Sequence, residues 1–220
     1  MPSKPWSKQA ELDRQRMPTP EELLTIVRGI PHLRVQALVV ITYLTGGRIT
    51  EIVKEKYLRK VIYKKDEDGK LIKEGNLYAI ESVEKKHIDY PGIIKSDIKY
   101  TTLDGRKALI IDMQNRKNKT QKRKQIPLIF DIEFEFMSIL EEYLRTLRDK
   151  EPLFNFGSRR AYDLLVRHTG FNCHWFRHIR LSHLASIYKM SEFRLERMAG
   201  WSDARPAKKY VKMMLEDIWR

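Results

Sequence analysis

The stretch CHWFRHIRLSH, Cys173 to His183, sets three histidines and two arginines among aromatic and aliphatic neighbours. At helical spacing His174, Arg177 and His178 share one side, Phe176, Ile179 and Ile187 the other, and Leu181, Leu184 and Ala185 extend the first. A helix apolar nearly all round belongs inside its domain, so the rest of the chain must fold about it. Its first turn then holds cationic groups at the mouth of a cleft, where an unpaired charge is costly. The helix N-terminus adds partial positive charge, which favours an anion there. A metal site is the weakest reading of the cluster. His174 and His178 stand at i, i+4, but the glutamate of the metalloprotease motif is missing, Arg177 would repel the ion, and no carboxylate ligand lies near in sequence. Histidines satisfied in a core and a pocket for an anion both stay open on H-x-x-R alone.

The segments around that helix predict an α+β chain, mainly helical with a small antiparallel sheet. Thr19 as N-cap, Pro20 at the first position and Glu21 and Glu22 in the first turn start a helix. PHLRVQALVVITYLTGGRITEIVKEKY reads as a buried helix broken at Gly46-Gly47 and followed by a second helix. From about Tyr57 to Asp112 alternating β-branched and aromatic residues, with turns at KDEDGK and TLDGR, predict hairpins. ALIIDMQNRKNKTQKRKQIPLIF reads as strand, basic turn, strand. From Ile132 onward the pattern is helical, with a last helix from about Ala204. Residues 1–17 read as a basic tail or linker remnant, and about 54–91 as an insertion within the domain 18–220.

Charge narrows the partner. Lys and Arg number 43 against 29 Asp and Glu, a formal excess of +14 on a chain whose 42% hydrophobic content is that of a folded protein. Such an excess favours nucleic acid first and an anionic membrane surface second. The longest apolar run, ALVVITYL, is too short to span a bilayer, and the N-terminus has no secretory apolar core. One cysteine, Cys173, fits a reducing interior, so an intracellular location is expected.

Three further clusters are ambiguous one at a time. In TGGRITE, Arg48 and Glu51 at i, i+3 make either an ordinary helical ion pair or an arginine aimed at a phosphate, with Gly46 and Gly47 allowing close backbone approach. Between Asn115 and Lys124 lie four lysines and two arginines, which suit nonspecific phosphate contact. In MAGWSDARPAKKYVKM, Trp201 and Tyr210 suit a core, yet the basic surroundings of Tyr210 suit an exposed hydroxyl.

The order of these clusters is more specific than any one of them. T-G-x-R-x-x-E, a basic hairpin lysine, H-x-x-R-H, and G-W with a tyrosine nine residues on resemble the catalytic domain of the tyrosine recombinase (integrase) family, from about Pro18 to Tyr210. The resemblance implies that fold, and Arg48, Lys119, His174, Arg177, Trp201 and Tyr210 as catalytic residues, Tyr210 being the nucleophile. Lys119 stands eight residues before Pro127, with Lys117 and Lys122 as alternatives. Glu51 and His178 take supporting places, and Trp201 fills a site more often held by histidine. Arg116, Lys117, Lys122, Arg123 and Lys124 are expected to contact DNA. The implied chemistry uses a 3′-phosphotyrosyl intermediate and no metal or cofactor. Its partners would be duplex DNA with specific recombination sites and further copies of the chain in a tetrameric synapse. Fewer than twenty residues precede the Thr19 helix, so a preceding core-binding domain is expected to be absent. Integration of a mobile element or Xer-like resolution would be the setting; relaxation of supercoils in the manner of type IB topoisomerases, or DNA binding without catalysis, are the alternatives.

Overall fold

The computed structural model describes residues 17–75, 77–114, 123–201, 205–208 and 210. The chain divides into two compact units, one containing Glu55–Tyr90 and the other Pro18–Lys54 with Pro91–Arg220. Arg116, Lys117, Lys119 and Lys122 lie outside the described residues.

The larger unit is built on α2, Leu33–Thr45, which follows α1, Pro20–Arg28. Thr19 caps α1 as its sequence predicts: its hydroxyl accepts from Glu22 N–H at 3.2 Å while Glu22 accepts from Thr19 N–H at 2.8 Å. Every residue from Ala37 to Thr45 is buried, so α2 is packed on all sides, by α4 (Phe134–Arg145), α5 (Ser158–Thr169) and α6 (Cys173–Ser186). Each large aliphatic side chain buried this completely contributes about 1.5–3 kcal/mol. After α6 comes α7, Glu192–Ala199.

Three antiparallel strands complete this unit in the order β5 (Ile98–Leu103), β6 (Arg106–Gln114), β7 (Arg123–Ile129). Asp104 and Gly105, at φ +50° and +76°, make the two-residue turn that the LDGR sequence predicts. Ile111 pairs with Ile98 on one side and Ile126 on the other, which fixes the buried face of the sheet.

The expected second helix is a single turn, α3 (Ile49–Ile52), and strand β1 begins at Glu55. The cause is tertiary. Ile52 O, which a continuing helix would use, accepts from Ile93 N–H at 3.0 Å. Gly92, at φ +85°, lets the returning chain come that close, since a Cβ there would lie 2.6 Å from Ile52 O.

The smaller unit is an antiparallel ribbon of β1 (Glu55–Tyr63) and β4 (Ile80–Tyr90), with a short pair of β2 (Lys73–Glu74) and β3 (Leu77–Tyr78). Its register pairs Tyr57 with His87 and Val61 with Val83, and Tyr57 meets His87 edge-on at 5.5 Å. Most of its large apolar side chains are exposed.

Two polar networks run through the helical core. Arg180 on α6 is ion-paired with Glu133, which also accepts from the Tyr188 hydroxyl at 3.0 Å. The Tyr43 hydroxyl meets His183 Nδ1 at 3.0 Å, and His183 Nε2 meets Pro18 O at 3.0 Å. The phenol donates to Nδ1, so Nε2 carries the proton and donates to the carbonyl. Burial pushes the His183 imidazole down to about 4 from its ordinary 6.5, with Arg180 adding to the burial and Pro18 opposing it. As pH falls the unfolded chain therefore takes a proton before the folded one does. The stability this neutral histidine contributes is complete above its unfolded value and is lost as pH drops toward its folded value. Between pH 7 and 5 the loss should be about 2 kcal/mol in urea unfolding, and His183→Gln should flatten that slope. An equal slope in the variant would refute the assignment. Among the described residues no helix is long and apolar enough to cross a membrane.

Candidate active site

Three helix ends and strand β7 bring the charged groups of the larger unit together. Helix α2 stops at Gly46, which adopts a left-handed conformation at φ +53°, and Gly47 N–H donates to Thr45 Oγ1 at 3.1 Å. Gly47 leaves no space for a ligand at its Cα, because a Cβ there would lie 2.8 Å from Met113 Cε. The two glycines serve packing of the chain on itself.

Arg48 follows in an extended conformation and is held by the next turn. Glu51 accepts from Arg48 N–H at 3.1 Å and from its Nη1 at 2.9 Å. Glu51 is fully buried, and burial alone would raise its carboxyl. Lys124 and the Arg48 backbone and guanidinium outweigh that and hold it below the usual range.

Lys124 Nζ lies 3.0 Å from Glu51 Oε2 and its side chain is 9% exposed. The sequence grouped this lysine with the DNA-contacting cations, but it points inward. Burial lowers its ammonium, the Glu51 carboxylate opposes that, and Arg177 and Arg48 add to the lowering. Strand alternation carries the signal that charge counting missed: Lys124 shares a face with buried Ile126 and Leu128. Its neighbour Arg123 is on the other face, ion-paired with Asp97 at 2.6 Å and Asp112 at 2.9 Å.

Arg177 on α6 is the most enclosed of these cations at 6% exposure. Its Nη1 donates to Gly46 O at 2.6 Å and its Nη2 to Ala199 O at 2.7 Å, so it ties the C-terminal ends of α2 and α7 together. The guanidinium carbon lies 5.6 Å from the Trp201 ring centre. Burial, then repulsion from Arg48, pushes its pKa down to about 10, with Glu51 and Tyr210 opposing, and it remains charged at neutral pH. A guanidinium has five N–H donors, so two bonds to carbonyls leave others for an anion.

Asn172 caps α6, its side chain accepting from Trp175 N–H at 2.9 Å, and so presents His174 in the first turn. Burial first, then Arg177 and Arg48, lower the His174 imidazole and keep it neutral. His174 and His178 meet edge-on at 4.5 Å. Tyr210 is packed with Trp201, their rings stacked at 5.9 Å, against a small core that includes Leu181, Leu184, Leu195 and Ala207. Its hydroxyl lies 2.7 Å from His178 Nδ1. Burial pushes that phenol up to about 12, with Arg177 pulling the other way. The Cys173 thiol is pushed up to about 11 by burial, which leaves little thiolate at neutral pH.

Arg48, Glu51, His174, Arg177, His178, Trp201 and Tyr210 thus form one constellation, joined by Lys124. It offers two permanent cations, a pair of imidazoles and a phenol. Those groups suit an anionic substrate and a nucleophilic hydroxyl. Among the described residues no three His, Cys, Asp or Glu side chains come together as metal ligands.

No protein-family model and no curated protein sequence matches the chain. Solved structures similar in fold include two complexes of one recombinase. One is XerH site-specific recombinase bound to difH substrate in a pre-cleavage complex, with TM-score 0.52 and 16% identity over 91% of this chain and 51% of that one. The other is XerH bound to palindromic difH substrate in a post-cleavage complex, with TM-score 0.54 and 15% identity over 90% of this chain and 49% of that one. The chain spans about half the length of these recombinases, and what it has in common with them is an α+β fold, helical with a small antiparallel sheet.

Proposed function

We propose that the chain is a tyrosine-type site-specific DNA recombinase, which cleaves and rejoins DNA through a 3′-phosphotyrosyl intermediate on Tyr210. The observation that carries the reading is the convergence of Arg48, Arg177, His174 and Tyr210 on a fold of the kind the XerH recombinases have.

A phosphodiester repels nucleophiles with its own charge, so most of the catalysis must come from positioning and from charge on the non-bridging oxygens. Arg48 and Arg177 supply that charge from fixed places, one braced by Glu51 and Lys124, the other by two backbone carbonyls. Neutral His174 donates a hydrogen bond to a non-bridging oxygen. Trp201 walls the site beside Tyr210. Lys119, which follows β6 and precedes β7 in the sequence, protonates the departing 5′ oxygen, and Arg116, Lys117 and Lys122 contact the DNA backbone around it. The phosphotyrosyl bond conserves energy for rejoining, so attack by another strand's 5′-hydroxyl exchanges strands. Duplex DNA with specific sites and further copies of this chain, assembled as a tetramer on that DNA, are the partners. An integrase of a mobile element or a Xer-like resolvase is the setting.

The test is covalent capture. The protein is incubated with a library of nicked duplexes made from the DNA flanking its gene, and adducts that survive denaturant are sequenced. The expected result is a small set of related sites, with Tyr210→Phe forming no adduct. Adduct formation undiminished in Tyr210→Phe would sink the reading. Relaxation of supercoiled DNA with no site preference and no recombinant would instead identify a topoisomerase.

A further inference from the structure

We infer that His178, rather than His174, takes the proton from the Tyr210 hydroxyl, which makes it a catalytic residue of the reaction proposed above and dependent on that reading. Both histidines sit in the first turns of α6, but the hydroxyl's hydrogen bond goes to His178 Nδ1, at 2.7 Å. The phenol carries its proton at neutral pH and must be the donor, so Nδ1 is the acceptor and Nε2 holds the imidazole proton. The two rings stand 6.1 Å apart and tilted by 32°, and Trp201 stacks on Tyr210, so the pair is held by contacts beyond the single bond.

Tyr210 needs such a partner. Its enclosure raises the phenol well above neutral pH and Arg177 only partly offsets that, so little phenolate exists to attack on its own. At His174 burial first, and then the charges of Arg177 and Arg48, oppose a positive charge on the ring, which suits a neutral hydrogen-bond donor.

In cleavage, Tyr210 Oη bonds to phosphorus while its proton moves to His178 Nδ1, giving an imidazolium. The bond from phosphorus to the 5′ oxygen breaks, and that oxygen takes a proton from the lysine assigned as donor, Lys119. In rejoining, the attacking 5′-hydroxyl returns its proton to the lysine. The phosphotyrosyl bond breaks, and the imidazolium returns its proton to Tyr210 Oη. Charge and protons balance in both directions.

The test is single-turnover cleavage of a captured duplex by the full chain. His178→Gln keeps an acceptor in the side chain but no base, and cleavage should slow about 100-fold. Difluorotyrosine at position 210, a more acidic phenol, should recover most of that loss. A substrate with sulfur at the 5′ bridging position has a leaving group that needs no proton. It should relieve Lys119→Met and leave the His178→Gln defect in place. Nitrogen-15 spectra of the unaltered protein provide a second measurement that does not depend on the variant folding. His178 should appear as the Nε2–H form, with an Nδ1 shift that changes in Tyr210→Phe.

An unchanged rate in His178→Gln, rescue by the sulfur substrate and not by difluorotyrosine, or a protonated Nδ1 would each overturn the assignment while leaving the recombinase reading intact. If the unaltered protein forms no adduct at all, the recombinase reading fails and this assignment with it.

Discussion

Truncating Glu133 to alanine is expected to remove about 3–5 kcal/mol of folding stability. Glu133 is the ion-pair partner of Arg180, whose side chain is 5% exposed and lies against the rings of Tyr43 and Tyr188. Burial disfavours that guanidinium, and Glu133 more than compensates, holding it protonated. Without the carboxylate a permanent charge remains in a dry interior and the Tyr188 hydroxyl loses its acceptor. Replacing both partners, Glu133→Leu with Arg180→Met, removes the charges together and should restore most of the loss. Urea unfolding of the two single variants and the double variant measures the coupling between them. A loss under about 1 kcal/mol for Glu133→Ala would mean that the guanidinium finds another partner, and would refute the account.

The same pair bears on the site. Arg180 follows Arg177 by three residues on α6, and a Cβ on Gly46 would touch Arg180 Cγ at 3.4 Å. Arg180 therefore packs beneath the residue whose carbonyl Arg177 holds. Loosening the buried pair is expected to slow cleavage as well as weaken the fold.

Legibility in the sequence followed the range of the forces involved. The start of α1 was readable because Thr19, Pro20 and Glu22 act within one turn. The turn at Asp104-Gly105 was readable because it depends on two residues. The helix expected after Arg48 was not, because Ile93 and Gly92, distant in sequence, take the carbonyl that would have continued it. In the site, the Arg48–Glu51 pair was legible from spacing. Lys124 was not, because a run of cations hides the strand alternation that turns it onto Glu51. A helical wheel puts His174 and His178 on one side and cannot say which meets Tyr210, since that choice depends on where Tyr210 packs. Gly46 O and Ala199 O left no trace in side-chain patterns, being main-chain acceptors.

Those two carbonyls make Arg177→Lys the most informative change in the site. The substitution keeps a positive charge, so it separates charge from geometry. Arg177 uses its planar fork to reach both carbonyls, 2.6 Å and 2.7 Å away, and still has donors free for a phosphate. A lysine has one ammonium on a flexible stem. It can serve one carbonyl or the phosphate, but not hold α2 and α7 in place while doing so. Cleavage is expected to fall about 10²–10³-fold, the cost of losing one fixed donor to a developing negative charge. Stability should fall by about 1–3 kcal/mol, because a buried carbonyl loses its partner. Arg48→Lys provides the contrast. Arg48 is 27% exposed and a lysine there can still meet Glu51, so its rate should fall without a comparable loss of stability. The measurements are single-turnover adduct formation and thermal unfolding on the same preparations. If Arg177→Lys cleaves within about tenfold of the unaltered protein, charge alone suffices and the two carbonyls do not position the catalytic arginine.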